Sequence, residues 1–196
     1  MNRYGFFGGS FNPPTIAHER LAEEIAEKFN LDKVYFVPVG NSYRKNGLID
    51  ENKRFEMLST IKNRKIDVLD IELNLNKEIS TIDAFNLINN KFLNSENYFI
   101  LGGDNLEKLP NWKKAESCLE NNIIAIKRGK DLENIIDENE LLKKHKNKIF
   151  AFNTNKLYDY SSTEVREALK SKDMNTLQKM LNKKVYLYIE QNNLYK

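Results

Sequence analysis

The sequence predicts an α/β fold, a doubly wound parallel sheet covered on both faces and closed by C-terminal helices. Three observations predict it. Short β-branched or aromatic runs alternate with longer amphipathic ones, as strands and crossover helices do. Six of the eight glycines (Gly8, Gly9, Gly40, Gly102, Gly103 and Gly129) fall at the ends of the strand-like runs. No internal repeat, low-complexity linker or composition break divides residues 1–196, so the length is expected to form one domain.

The elements follow in order. Residues 3–8 (RYGFFG) read as a strand, and 17–29 as a helix with Ala17, Leu21, Ala22, Ile25 and Phe29 on one face. Residues 33–39 (KVYFVPV) give a second strand, 51–61 a helix, 66–73 a third strand and 82–92 a helix. Residues 97–101 (NYFIL), 123–127 (IIAIK) and 148–152 complete the strands, and 162–170, 174–181 and 184–192 are three closing helices. The highly charged stretch 130–148 is expected to be mobile. This alternation is Rossmann-like, and such sheets bind ligands outside the carboxyl ends of their strands. Glycine in those turns lets backbone N–H groups approach a ligand with no Cβ in the way.

Composition excludes several classes of function. No apolar run approaches the ~20 residues that span a bilayer. Residues 1–14 have no charged segment followed by an apolar one and a cleavage site, so no signal peptide is expected. A single cysteine, Cys118, rules out a disulfide framework and a cysteine-based zinc site, and suits a reducing cytoplasm. The two histidines, His18 and His145, form no local metal motif. A net charge of +3, with acids scattered throughout, does not mark a binder of nucleic acid polymers. The basic set is 24 Lys and only 7 Arg, so the placement of each arginine carries information.

Three constellations carry chemistry. GGSFNPPTIAH, residues 8–18, joins the first strand to the first helix, where such sheets bind phosphate. It matches neither G-x-G-x-x-G nor the Walker A pattern. Pro13 and Pro14 stiffen the turn, Thr15 falls near the helix start, and His18 lies on the same helix face as Thr15. Standing alone, the pair reads as a helix cap and a surface histidine. YSSTEVR, residues 160–166, offers Ser161 or Ser162 as an N-cap, hydroxyls for an anion, and Arg166 one turn on to fork two phosphate oxygens. Alone, it is an ordinary capped helix. LGGDNLEKLPNW, residues 101–112, places Asp104 after a strand, suited to ribose hydroxyls, and holds the only tryptophan, Trp112, suited to stacking on a base or to the core.

Together these residues resemble the nucleotidyltransferase superfamily. Residues 9–18 resemble its (H/T)-x-G-H signature and residues 161–166 its S-x-T-x-x-R signature. The specific resemblance is to the nicotinate/nicotinamide mononucleotide adenylyltransferases. It runs through GSFNPPTIAH, VGNSYRKNGLI (39–49), STIDAF (80–85), GGDNLEKLPNW and YSSTEVREAL, in order along nearly the whole chain. Thr15 stands where many bacterial members have His, Ala17 replaces a Gly, and Asn12 replaces a common Asp.

The resemblance implies adenylyl transfer from ATP to nicotinate mononucleotide, giving deamido-NAD and pyrophosphate in NAD biosynthesis. Nicotinamide mononucleotide is the alternative acceptor. It implies His18, Thr15 and Arg166 as catalytic groups. Gly8, Gly9, Ser10, Phe11, His18, Gly102, Asp104, Ser161, Ser162, Thr163 and Arg166 would hold ATP. Asn12, Lys45, Thr81, Trp112 and Arg128 would hold the mononucleotide, with Arg44 beside Lys45. Mg2+ would ride on the ATP phosphates, with no dedicated protein metal site. The implied protein is cytoplasmic, and a homo-oligomer is compatible with the resemblance. Pantetheine-phosphate adenylyltransferases share both signatures but not the GGDNL…PNW segment. A non-catalytic nucleotide-binding regulator would not need His18 and Arg166, and both are present.

Overall fold

In the computed structural model, which describes residues 1–43, 46–75, 77–127, 131–153 and 160–196, strands and helices alternate from the start. The order is β1 (Asn2–Gly9), α1 (Ile16–Lys28), β2 (Lys33–Pro38), α2 (Glu51–Ser59), β3 (Ile66–Val68), α3 (Thr81–Lys91) and β4 (Ser95–Gly102). It continues through α4 (Gly103–Lys108), α5 (Ala115–Leu119), β5 (Asn122–Ile126), α6 (Leu132–Asp137), α7 (Glu140–Lys144), β6 (Ile149–Phe152), α8 (Ser162–Ser171), α9 (Met174–Met180) and α10 (Lys183–Gln191). All pairings are parallel and the sheet order is β3-β2-β1-β4-β5-β6. This is the doubly wound, Rossmann-like order, with its topological switch between β1 and β4.

Because side chains alternate across a strand, the sheet makes two cores. Phe7, Val34, Phe36, Tyr98, Ile100 and Ile124 face α1, α2 and the closing helices α8, α9 and α10. Phe6, Val37, Phe99, Leu101, Ile123 and Ala125 face α3 through α7. No described helix is long and apolar enough to cross a membrane.

Two expectations are corrected. The third strand stops at Val68 instead of running to residue 73. The β2–β3 ladder places the Leu69 N–H on the Phe36 carbonyl, and the next bond would need an N–H from Pro38, which has none. The chain therefore leaves the sheet and turns, with the Leu73 N–H on the Asp70 carbonyl. The stretch 130–148 carries α6 and α7, each capped by a side chain (Asp131 to the Glu133 N–H, Asn139 to those of Leu141 and Leu142). Leu132, Ile135, Ile136 and Leu142 are buried, so four apolar anchors outweigh the many charges around them.

Gly40, just after β2, sits hard against another backbone segment: a Cβ there would lie 2.5 Å from the Glu72 carbonyl oxygen. Backbone cannot swing aside as a side chain tip does. Gly40→Ala is expected to cost about 1–3 kcal/mol and to lower Tm by roughly 2–10 °C. An unchanged melting curve would show that this turn is not confined.

Candidate active site

At the switch point the chain leaves β1 toward one face and β4 toward the other, which opens a crevice at their carboxyl ends. A cavity of about 370 Å³ occupies it, large enough for a nucleotide fragment. Phe6, Val37, Phe99 and Leu101 line its apolar side. Gly8, Gly9 and Ser10 enter from the end of β1, Asp104 and Asn105 from α4, and Thr81 from the first turn of α3. Trp112 and Glu72 complete the wall. The cavity thus joins residues expected at ATP (Gly8, Gly9, Ser10, Asp104) with two expected at the mononucleotide (Thr81, Trp112). Gly102 is the N-cap of α4, and its missing Cβ leaves room for Asp104 Oδ1, which would lie 2.6 Å from it.

Trp112 lies between the core and the cavity. It is half-buried against the core on the α3 side, yet it also lines the cavity. Its backbone N–H is spent on the Leu109 carbonyl at 2.9 Å, so the residue is held by a closed turn.

The first signature lies on the other side of the same loop. Thr15 caps α1 and is buried; its N–H donates to His18 Nδ1 at 3.0 Å, and its Oγ1 lies 2.8 Å from the same nitrogen. A backbone N–H is always a donor, so Nδ1 accepts and the proton of the neutral ring sits on Nε2. Thr15 thus meets His18 with both its N–H and its side chain, and it orients the ring. Phe11 is buried with its ring edge-on to His18, 5.2 Å between centroids, so only its backbone is available to a nucleotide. Asn12 is buried as well: its Nδ2 donates to the Gly47 carbonyl at 2.8 Å, and its Oδ1 accepts from the Ile49 N–H and the Tyr195 hydroxyl. The structure gives Asn12 a holding part in the loop.

The second signature fastens directly onto the first. Ser162 Oγ donates to the Pro13 carbonyl at 2.8 Å, and Arg166 Nη1 donates to the Asn12 carbonyl at 2.8 Å. Arg166 Nη2 also donates to Thr163 Oγ1 at 3.1 Å. Ser161 closes a capping box with Glu164, whose carboxylate accepts the Ser161 N–H at 2.9 Å. That spends the Ser161 side chain on the helix end. Arg44, Lys45, Arg128 and Gly129 lie outside the described residues.

Comparisons with known proteins agree with this geometry. Residues 6–168 match the cytidylyltransferase-like family model. A probable nicotinate-nucleotide adenylyltransferase of Fusobacterium nucleatum is 33% identical over 192 residues, covering 96% of this chain and 97% of that one. One from Clostridium novyi is 30% identical over 202 residues, with both chains covered in full. Among solved structures, nicotinic acid mononucleotide adenylyltransferase of Plasmodium falciparum, complexed with NaAD, superposes with a TM-score of 0.80 at 26% identity, covering 100% of this chain and 98% of that one. This chain belongs to the nicotinate-nucleotide adenylyltransferase family.

In this family member a buried cation supports the site, and sequence reasoning missed it. Arg54 of α2 is fully buried and donates to three carbonyls: Ile49 at 3.0 Å, Ser10 at 3.0 Å and Val39 at 2.6 Å. Burial depresses its affinity for the proton, and the nearby Glu51 carboxylate opposes that most strongly. Glu51, itself buried, accepts the N–H groups of Asn41 and, at 2.8 Å, Asn74. A signal did exist: Arg54 occupies the helical stripe shared with Met57, Leu58 and Ile61, where an apolar residue would be ordinary.

Glu72 was missed too. Burial pushes its carboxyl up to about 7, although the Gly40 N–H and the Arg54 guanidinium both favour the anion. The folded protein therefore holds this proton more tightly than the unfolded chain does. Stability from this group is full below its ordinary 4.5 and is lost as pH rises to about 7. Glu72→Gln, which cannot ionise, is expected to melt about 2–4 °C above the parent at alkaline pH and level with it in acid. A gain of equal size at both pH values would assign the effect to packing.

Proposed function

We propose that this protein transfers the adenylyl group of ATP to nicotinate mononucleotide, forming deamido-NAD and pyrophosphate in NAD biosynthesis, with residues 1–196 acting as one cytoplasmic nucleotidyltransferase unit. The observation that carries the reading is the single cavity in which the β1 turn and Asp104 meet Thr81 and Trp112. Kinship with nicotinate-nucleotide adenylyltransferases supports it.

In this reading a 5′-phosphate oxygen of the mononucleotide attacks the α-phosphorus of ATP in line. One P–O bond forms as the bond to pyrophosphate breaks. No covalent nucleophile on the protein is required, so catalysis is positioning plus stabilisation of charge on phosphoryl oxygens. His18 donates from Nε2 to the ATP phosphates, because Thr15 holds its Nδ1 as an acceptor. Arg166 keeps further guanidinium N–H groups for pyrophosphate beyond those on Asn12 and Thr163. Asp104 accepts ribose hydroxyls and the Trp112 indole stacks on the cationic pyridine ring. Mg2+ arrives on the ATP phosphates as part of the substrate; the described residues include no cluster of His, Cys, Asp and Glu able to cage a metal.

The acid is favoured over the amide by the start of α3. Thr81 lines the cavity, and the N–H groups of Thr81 and Ile82 open the helix with no carbonyl partner within it, that of Asp83 being taken by the Ser80 hydroxyl. Together with the helix dipole, they suit a carboxylate. The Trp112 backbone N–H is not such a donor, since the Leu109 carbonyl already takes it.

The test is product analysis with Mg-ATP and each pyridine mononucleotide in turn. The expected outcome is deamido-NAD and pyrophosphate, with the acid used at least about tenfold better than the amide. A reversed preference, or no dinucleotide, would overturn the reading. His18→Ala is expected to fold normally and to lose about 10²–10³ in rate. Full turnover in that variant would remove His18 from the machinery.

A further inference from the structure

Tyr195 lies beyond α10, in a segment that no signature covers. Asn193 and Tyr195 have φ of 53° and 62°, in the left-handed region that non-glycine side chains disfavour. The Leu194 N–H closes back on the Ile189 carbonyl at 3.1 Å. These turns reverse the chain and send the Tyr195 ring under the core that holds Phe11. Packing alone would be satisfied by phenylalanine. The hydroxyl, however, donates to Asn12 Oδ1 at 2.9 Å.

That bond reaches the centre of the phosphate-side loop. Asn12 Oδ1 has one other described donor, the Ile49 N–H at a longer 3.3 Å. The backbone carbonyl of the same residue anchors Arg166 at 2.8 Å. One residue thus ties together the loop, the 47–49 segment, α8 and the tail after α10. Burial raises the Tyr195 phenol well above its ordinary range, against the pull of Arg166 and Arg54, so the hydroxyl stays a donor at any working pH.

We propose that Tyr195 is a positioning residue for adenylyl transfer: its hydroxyl, through Asn12, fixes the loop carbonyl that aims Arg166. This rests on the adenylyl-transfer reading above. With the hydroxyl gone, Oδ1 keeps only its long bond, Asn12 gains freedom, and Arg166 loses its fixed mount. Since misplacement acts on the reacting geometry, the loss belongs in turnover more than in acceptor binding.

The experiment compares the parent chain with Tyr195→Phe, which keeps the ring and removes one oxygen. Melting, kcat, and KM for ATP and for nicotinate mononucleotide are measured for both. The expected result is a kcat about tenfold lower with an unchanged acceptor KM, while loss of the one hydrogen bond lowers Tm by only about 2–4 °C and leaves the chain fully folded at the assay temperature. In an Asn12→Ala background the same substitution is expected to have no further effect, because its partner is gone. Parental kcat in Tyr195→Phe would overturn the proposal. So would a fall in activity matching a fall in folded fraction, or losses that multiply in the double variant. If Asn12→Ala does not fold, the comparison of kcat with melting decides alone. Failure of the parent chain to make any dinucleotide would instead overturn the adenylyl-transfer reading, so the two failures are distinguishable.

Discussion

In the reading proposed above, the β1–α1 turn meets phosphates and must keep its own carbonyl oxygens away from them, a constraint that organises the fold around residues 10–13. The carbonyls of Ser10, Asn12 and Pro13 are bound, respectively, by Arg54, Arg166 and Ser162. The donors come from α2 and α8, and those on α8 lie 149 and 154 positions along the chain from their acceptors. Two of the donors are guanidinium groups, whose charge also offsets the oxygen dipoles. Pro13 and Pro14 offer no N–H of their own, which leaves the N–H groups of the turn at its glycine end, Phe11 and the start of α1. What makes the loop receptive is mostly that its acceptors are engaged elsewhere.

This explains why an arginine is tolerated in the core. Burying a guanidinium costs several kcal/mol, and removing its partners would cost about 3–5 kcal/mol. Arg54 offsets the burial with three carbonyl bonds and the field of Glu51. The same group joins the β1 turn to the end of β2 and to Ile49, so the wall of the cavity and the phosphate-side loop share one internal mount. Glu72, on that wall, has the Gly40 N–H and the Arg54 guanidinium in favour of its anion, but burial outweighs both and pushes its carboxyl up to about 7.

Much of this was legible in the sequence, for physical reasons. The strands and long helices showed because the period of their apolar residues shows, and the binding edge because glycines collect there. The short helices α4 to α7 did not show: five or six residues hold too little periodicity, and α6 and α7 lie in a run of charges. β3 read too long because its ending depends on Pro38 in the neighbouring strand. At the site, Gly8, Gly9, Ser10, Thr81, Asp104 and Trp112 gather as expected. Asn12, Thr15 and Ser161 were recognised as belonging there, but the protein groups they hold were not, because those depend on which partners the fold supplies. Arg54 and Tyr195 act across long sequence separations, on which local pattern is silent.

The central claim is that this loop is preset, with its carbonyls bound from behind before any nucleotide arrives. A crystal structure with deamido-NAD bound tests it most directly. The account predicts that the Ser10, Asn12 and Pro13 carbonyls keep Arg54, Arg166 and Ser162 at hydrogen-bonding distance, while the dinucleotide phosphates meet the N–H groups near Gly9 and the His18 Nε2 face. Carbonyls released from those donors and turned toward the ligand, with Arg166 detached from Asn12, would contradict it.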